Sequence, residues 1–239
     1  MLTVRPVLPG ITVLLARSPP AVPLAALTRV DEIWEAERAS RGDALFNGRL
    51  FSVESAEPEC IIGWLAEYKW FLAQRRAPSL EGALRVRPLA VTGLLLCVDG
   101  VVFGRRAGHV EQDAGLWELV PSGGIDGSTG KPDGSIDLVQ HILAELVQET
   151  GITAAMIATP PQPFATVYDA GARVTDVGIL LRTDLSKENV ISAFTSLENR
   201  EYVALEVVPV AQLQNFITSR GETLAQVSSA LLDAARPLA

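Results

Sequence analysis

Residues 136–150 constrain the fold more than any other stretch of this chain. Val139, Ile142, Leu143, Leu146 and Val147 recur at three- and four-residue steps. That spacing predicts an amphipathic helix with one apolar stripe turned to a core. Gly151 follows directly and suits a left-handed helix end, which glycine adopts without a steric penalty. Such a helix needs a sheet to pack on, and strand-like runs flank it on both sides. Residues 89–98, 101–105 and 117–120 precede it, and residues 164–169, 174–182 and 202–210 follow. Asp99 with Gly100, and Ala170 with Gly171, supply turns. Helical stretches at 211–217 and 223–235 close the chain. Strands and helices mixed in this order predict a layered α/β domain.

The N-terminal third reads differently. Residues 11–16 form a strand-like run stopped by Ser18, Pro19 and Pro20, and residues 30–40 read as a helix with Asp31 near its start. Asn47 and Gly48 lie between apolar pairs, which predicts a hairpin turn because both accept positive φ. Residues 60–65 read as a strand and 67–74 as a short helix. The polar segment 75–87 holds Pro78, with Pro88 just beyond. These features predict an α+β subdomain over residues 1–85 and a second domain over 86–239.

Charge narrows the partners. The formal net charge is −8 and the pI about 4.9. Such a surface repels nucleic-acid backbones, so a nucleic acid polymer is not expected as a partner. A small anionic substrate would need positive charge brought to it, and a divalent cation is the usual supply. Cys60 and Cys97 each sit in apolar stretches, as reduced buried thiols do, which fits a cytoplasmic location. The apolar N-terminus is interrupted by Pro6, Pro9 and Gly10 and closed by Arg17, unlike a signal segment. No run reaches the ~18 apolar residues of a membrane span.

Opposite the apolar stripe of the predicted helix stand His141, Glu145, Gln148 and Glu149. Glutamates four residues apart have Cβ atoms ~5–6 Å apart and repel each other. A solvated acidic face would tolerate that; a bound Mg²⁺ would relieve it, since hard cations take carboxylate and phosphate oxygens. The context favours the cation. Pro121, Ser122, Gly123 and Gly124 open a glycine- and aspartate-rich loop that runs to Gly134 and into the helix.

These residues resemble the Nudix box, Gly-x5-Glu-x7-Arg-Glu-U-x-Glu-Glu-x-Gly-U, where U is apolar. Glu145, Leu146, Glu149, Gly151 and Ile152 match it, and Gly124 is similar to its opening glycine. Three departures stand out. Ala144 replaces the arginine, Gln148 replaces the first glutamate of the pair, and the loop is six residues longer, with Ile136 where the loop glutamate would fall. Ile33 with Trp34, the segment at Asn47 and Gly48, Tyr68 with Lys69, Phe71 with Leu72, and the long loop together resemble the branch that hydrolyses UDP-glucose and UDP-galactose.

The resemblance implies a Nudix-type α/β/α sandwich with a mixed sheet, and hydrolysis of the diphosphate of a nucleoside diphosphate sugar, a UDP-sugar first, to UMP and sugar phosphate. It implies Mg²⁺, with Mn²⁺ as a substitute, and is compatible with a homodimer. Glu145 and Glu149 would be metal ligands and catalytic groups. Glu201 or Glu198, before the last strand, would add a further acid, with Glu201 preferred for its place beside Tyr202. Tyr68, Arg106, Ser122 and Gly124 are the expected substrate-binding residues, and Lys69 could reach a phosphate. Arg105 and Arg106 should leave their strand on opposite faces. His109 and His141 are expected at the surface. Two other readings remain: a nucleotide-binding module that has lost catalysis, and a hydrolase of ADP-ribose or a dinucleotide.

Overall fold

The structure, a computed structural model, describes residues 1–42, 45–108, 113–198 and 200–236. The chain begins with β1 (Leu2–Pro6), β2 (Thr12–Leu15), α1 (Leu24–Arg41), β3 (Arg49–Ala56), β4 (Cys60–Glu67), α2 (Tyr68–Arg76) and α3 (Glu81–Leu84). It continues with β5 (Leu89–Cys97), β6 (Gly100–Arg106), β7 (Trp117–Leu119), β8 (Ser122–Gly124), β9 (Ser135–Ile136) and α4 (Leu138–Thr150). It ends with β10 (Gln162–Asp169), β11 (Val174–Arg182), α5 (Lys187–Thr195), β12 (Tyr202–Val208), α6 (Leu213–Arg220) and α7 (Gln226–Ala235).

Among the described residues these strands form two mixed sheets. The larger runs β1-β10-β11-β5-β6-β12, with β7 paired to β6 and β8 to β5; the smaller runs β3-β4-β2-β9. At the centre of the larger sheet β5 and β11 are parallel. Both are buried almost throughout, which is why they read as continuous apolar runs rather than alternating ones. Their side chains alternate between two cores. Val91, Leu95, Val177 and Ile179 meet Ile142 and Leu146 of α4 and Val190 and Phe194 of α5. Leu94, Leu96 and Leu180 meet Phe216 of α6 and Leu231 and Leu232 of α7. Helices therefore cover both faces of the sheet, the layered α/β arrangement the order of elements predicts. Among the described residues no helix is long and apolar enough to cross a membrane.

The two sheets are laced together. β1 pairs with β10 of the larger sheet, while β9, from the long loop before α4, pairs with β2 of the smaller one. Gly127 of that loop takes φ +87 and lies against Leu65 of β4.

Four expectations need correction. Asp31 is not near a helix start, because α1 begins at Leu24 and has no acid in its first turn, and Cys60 is only partly buried, while Cys97 is buried. Asn47 and Gly48 do not turn a hairpin. β3 turns into β4 through residues 57–59, closed by Glu57 N–H donating to Cys60 O at 3.0 Å. The Asn47 side chain is used otherwise: its amide donates to Glu67 Oε2 (2.7 Å) and its oxygen accepts from the Lys69 N–H (3.0 Å), pinning the start of α2. The stripe on α4 is also rotated. Val147 is 41% exposed, while His141 and Glu149 are buried.

The β3–β4 hairpin carries Tyr68 at its end, and Gly63 allows its close packing. A Cβ at Gly63 would lie 2.2 Å from the Ser52 carbonyl oxygen, which is backbone and cannot step aside. Gly63→Ala is expected to destabilise the protein by about 3 kcal/mol, read as a lower midpoint in chemical denaturation.

Candidate active site

α4 is held at both ends. Asp137 caps its start, accepting from the Gln140 N–H at 2.9 Å, and Gly151 ends it at φ +73. The helix lies against β8 and β5. There the Ser122 N–H donates to Glu149 Oε2 at 2.9 Å. Gly123 gives room to Glu145: a Cβ on that glycine would lie 2.4 Å from the carboxyl carbon.

Both glutamates face a cleft of about 730 Å³. Ser122, Gly123, Gly124 and Gln148 line it beside them, with Arg106, Glu118 and Glu201. From the N-terminal third come Arg49, Leu50, Tyr68, Phe71 and Arg75. All of the expected site residues, Tyr68, Arg106, Ser122, Gly124, Glu145, Glu149 and Glu201, thus share one cleft. Lys69 instead pairs with Asp31 at 2.9 Å and is not part of the lining. Arg105 is exposed while Arg106 turns into the cleft, on opposite faces of β6. Glu198 is exposed and outside the lining. His109 lies outside the described residues.

The cleft is crowded with acid. Burial pushes the Glu149 carboxyl well above its ordinary range; the Ser122 N–H opposes this, and Glu118, Glu145 and Glu201 add to it. Glu118 is also raised, by burial, against the pull of Arg106, whose guanidinium lies 2.6 Å from Glu118 Oε1. The Tyr202 hydroxyl donates to Glu118 Oε1 at 2.7 Å and lies 3.3 Å from Glu149 Oε2. One hydroxyl proton serves one acceptor at a time, so it cannot satisfy both carboxylates when both are ionised.

His141 is not a surface residue. It is buried, and its Nε2, 3.3 Å from Glu145 Oε1, has no hydrogen-bond partner among the described residues. The i,i+4 spacing put His141 one turn from Glu145, and that was the available signal. Glu118 was legible in part, as an acid between the apolar Trp117 and Leu119. Asp176 was another: a single acid inside a strand of otherwise apolar character, now buried on the floor of the cleft.

The donor set suits a hard divalent cation. Among the described residues no three His, Cys, Asp or Glu side chains stand together as a complete cage. Mg²⁺ does not need one: it commonly takes one or two carboxylates and fills its shell with water and substrate phosphates. Glu145 and Glu149 offer that pair, and the raised Glu149 carboxyl marks a place where positive charge would be stabilising.

No protein family profile and no curated protein matches the sequence. Solved structures do. DR0079 from Deinococcus radiodurans is similar over 79% of this chain and 99% of its own, with a TM-score of 0.50 and 14% identity. The NUDIX domain of Shewanella oneidensis NrtR, solved with ADP ribose, matches over 66% of this chain and 91% of its own, at TM-score 0.46 and 19% identity. A bifunctional NMN adenylyltransferase/ADP ribose pyrophosphatase from Francisella tularensis, solved with AMP and a manganese ion, matches over 72% and 47%, at TM-score 0.46 and 15% identity. At such identities the likeness is one of fold.

Proposed function

We propose that this chain is a Nudix-type, metal-dependent pyrophosphohydrolase that splits the diphosphate of a nucleoside diphosphate sugar, with a UDP-sugar first among the substrates. One observation carries the reading: Glu145 and Glu149 of α4 turn into a cleft, and Glu149 is buried there among other carboxylates. Glu145 and Glu149 would hold Mg²⁺ or Mn²⁺, with Glu201 at the rim. The cation would supply charge neutralisation for the diphosphate and a more acidic water.

The chain's own groups then have definite tasks. Glu145 would accept the proton of the attacking water. The water adds to one phosphorus, the bridging P–O bond breaks, and UMP and sugar phosphate leave. Arg106, held by Glu118, presents positive charge to the cleft. Gly124, with open space beside its Cα, lets substrate approach the backbone. Tyr68, half-buried and backed by Phe71, offers ring surface for a nucleobase, with the guanidinium groups of Arg49 and Arg75 in the same lining. Residues 1–85, apart from β1 in the larger sheet, would thus be a subdomain that builds the nucleoside end of the cleft, and 86–239, apart from β9 in the smaller sheet, the domain that carries the chemistry.

A hydrolase of ADP-ribose or a dinucleotide is the alternative within the same chemistry, since both carry a diphosphate between nucleoside and a second group. A binding module without turnover is the second reading, favoured by Ala144 and Gln148 in the box. Incubating the protein with Mg²⁺ and a panel of UDP-glucose, UDP-galactose, ADP-ribose and a dinucleotide tests all three. Release of nucleoside monophosphate supports the hydrolase and names the substrate. Thermal stabilisation without release selects the module. No release and no stabilisation removes the nucleotide altogether.

A pH dependence follows from Glu149. Its raised carboxyl holds a proton in the folded state at pH values where the unfolded chain has lost it. Metal-free stability therefore falls as pH rises above the ordinary carboxylate range. A cation needs the ionised form and competes with that proton. The rise in melting temperature produced by Mg²⁺ is expected to be larger at about pH 8 than at about pH 5.5. An equal rise at both, measured by calorimetry, would count against Glu149 as a ligand.

A further inference from the structure

Asp176 sits on the floor of the cleft, and the reaction above does not use it. It is buried, and its one hydrogen bond among the described residues comes from the Thr92 hydroxyl, at 3.1 Å. The charges that act on it most are Glu118, Asp113 and Asp169, all of them acids. Burial carries its carboxyl up to about 7. A buried acid without a cation destabilises the folded chain, and such groups concentrate at functional sites.

Its position in the sheet assigns it a task. Val174, on the same strand, packs against the apolar cluster that contains Phe71 and Leu84. Asp176 is two residues further on the same face, ~7 Å along the strand. On its other side Thr92 stands opposite Ser122 across β5 and β8, and the Ser122 N–H holds Glu149. Asp176 with Thr92 thus lies between the cluster that holds Phe71, with the half-buried Tyr68 packed on it, and Ser122 with Glu149. A nucleoside diphosphate has the same order: flat base, ribose, diphosphate.

We propose that Asp176, steadied by Thr92, is the specificity-determining residue that takes the ribose 2′- and 3′-hydroxyls of a ribonucleotide. The inference rests on the nucleotide reading of the cleft and adds a preference for ribose over deoxyribose. A carboxylate has acceptor positions for two neighbouring hydroxyls, and acids serve ribose in this way in other nucleotide sites. A deoxy sugar leaves one of those acceptor positions buried and unpaired, which reduces affinity.

The test is calorimetric titration of two base-matched pairs, UMP with 2′-deoxy-UMP and AMP with 2′-deoxy-AMP, into the wild type, Asp176→Asn and Asp176→Ala. Asparagine is nearly isosteric and removes the buried charge, so that variant keeps the fold; circular dichroism checks both. The wild type is expected to bind a ribonucleotide at least about tenfold more tightly than its deoxy partner. That ratio should fall toward one in both variants. A wild-type ratio near one, or a ratio unchanged by both substitutions, overturns the ribose role while leaving the nucleotide reading standing. Failure of the wild type to bind any of the four overturns both.

Discussion

Glu149→Gln is expected to abolish metal-dependent hydrolysis, lowering kcat/KM on the order of 10³-fold, and at the same time to raise the thermal stability of the metal-free protein. The two effects have one cause. Glu149 is buried, and Glu118, Glu145 and Glu201 all disfavour its charge. Glutamine can still accept from the Ser122 N–H but carries no charge to repel. The gain in stability should be present at about pH 8, where the unfolded chain's carboxyl is ionised and the buried one resists losing its proton, and vanish below the ordinary carboxylate range, where both states are protonated. Loss of activity together with loss of stability would make Glu149 a structural acid. Retained activity would remove it from the mechanism.

Gly123→Ala is expected to cut activity on the order of 10²-fold with little change in melting temperature. The new Cβ would lie 2.4 Å from the Glu145 carboxyl carbon and 2.5 Å from its Oε1. The group in the way is the end of a flexible side chain, so it can swing aside while the backbone stays put. Stability is then nearly preserved, but the carboxylate leaves its place beside Gly123, and misplacement by ~1 Å can cost about 10²-fold. Steady-state kinetics beside a thermal melt separates this from a folding defect. Normal turnover in the variant would show that the position of Glu145 does not matter to the chemistry. His141 is a neighbour in this displacement, because its buried Nε2 lies 3.3 Å from the same carboxylate.

The central elements were legible in the sequence because their signals were long. Residues 136–150 read as a helix, and α4 spans Leu138–Thr150 and ends at Gly151. The apolar runs 89–98 and 174–182 are the paired strands β5 and β11. Short elements gave too little pattern. α5 buries only Val190 and Phe194, less than a periodic signal needs, and β1 is a largely exposed strand that gains its place from pairing with β10. Asn47 and Gly48 show local turn chemistry overridden by tertiary contacts: the Asn47 side chain is taken by Glu67 and Lys69.

Local spacing made the site legible on the helix and its loop, while Tyr68, Arg106 and Glu201, which also line the cleft, were expected through the resemblance and not from any local pattern. Spacing placed Glu145 and Glu149 on one surface but could not say that one of them would be buried. The burial arises because β8 and Tyr202 cover Glu149, and those contacts join residues 27 and 53 positions apart. The Asp176–Thr92 bond spans 84 positions, and no local pattern encodes it. The extra length of the glycine-rich loop also found its use only in three dimensions, as β9 pairing with β2.

Diffraction from crystals soaked in Mn²⁺ with a non-hydrolysable UDP-sugar analogue tests the central claim most directly. An anomalous peak between the Glu145 and Glu149 carboxylates, with phosphate oxygens completing the shell, is the predicted result. Bound analogue with no ion at those two side chains, or an ion held elsewhere in the cleft, would contradict it.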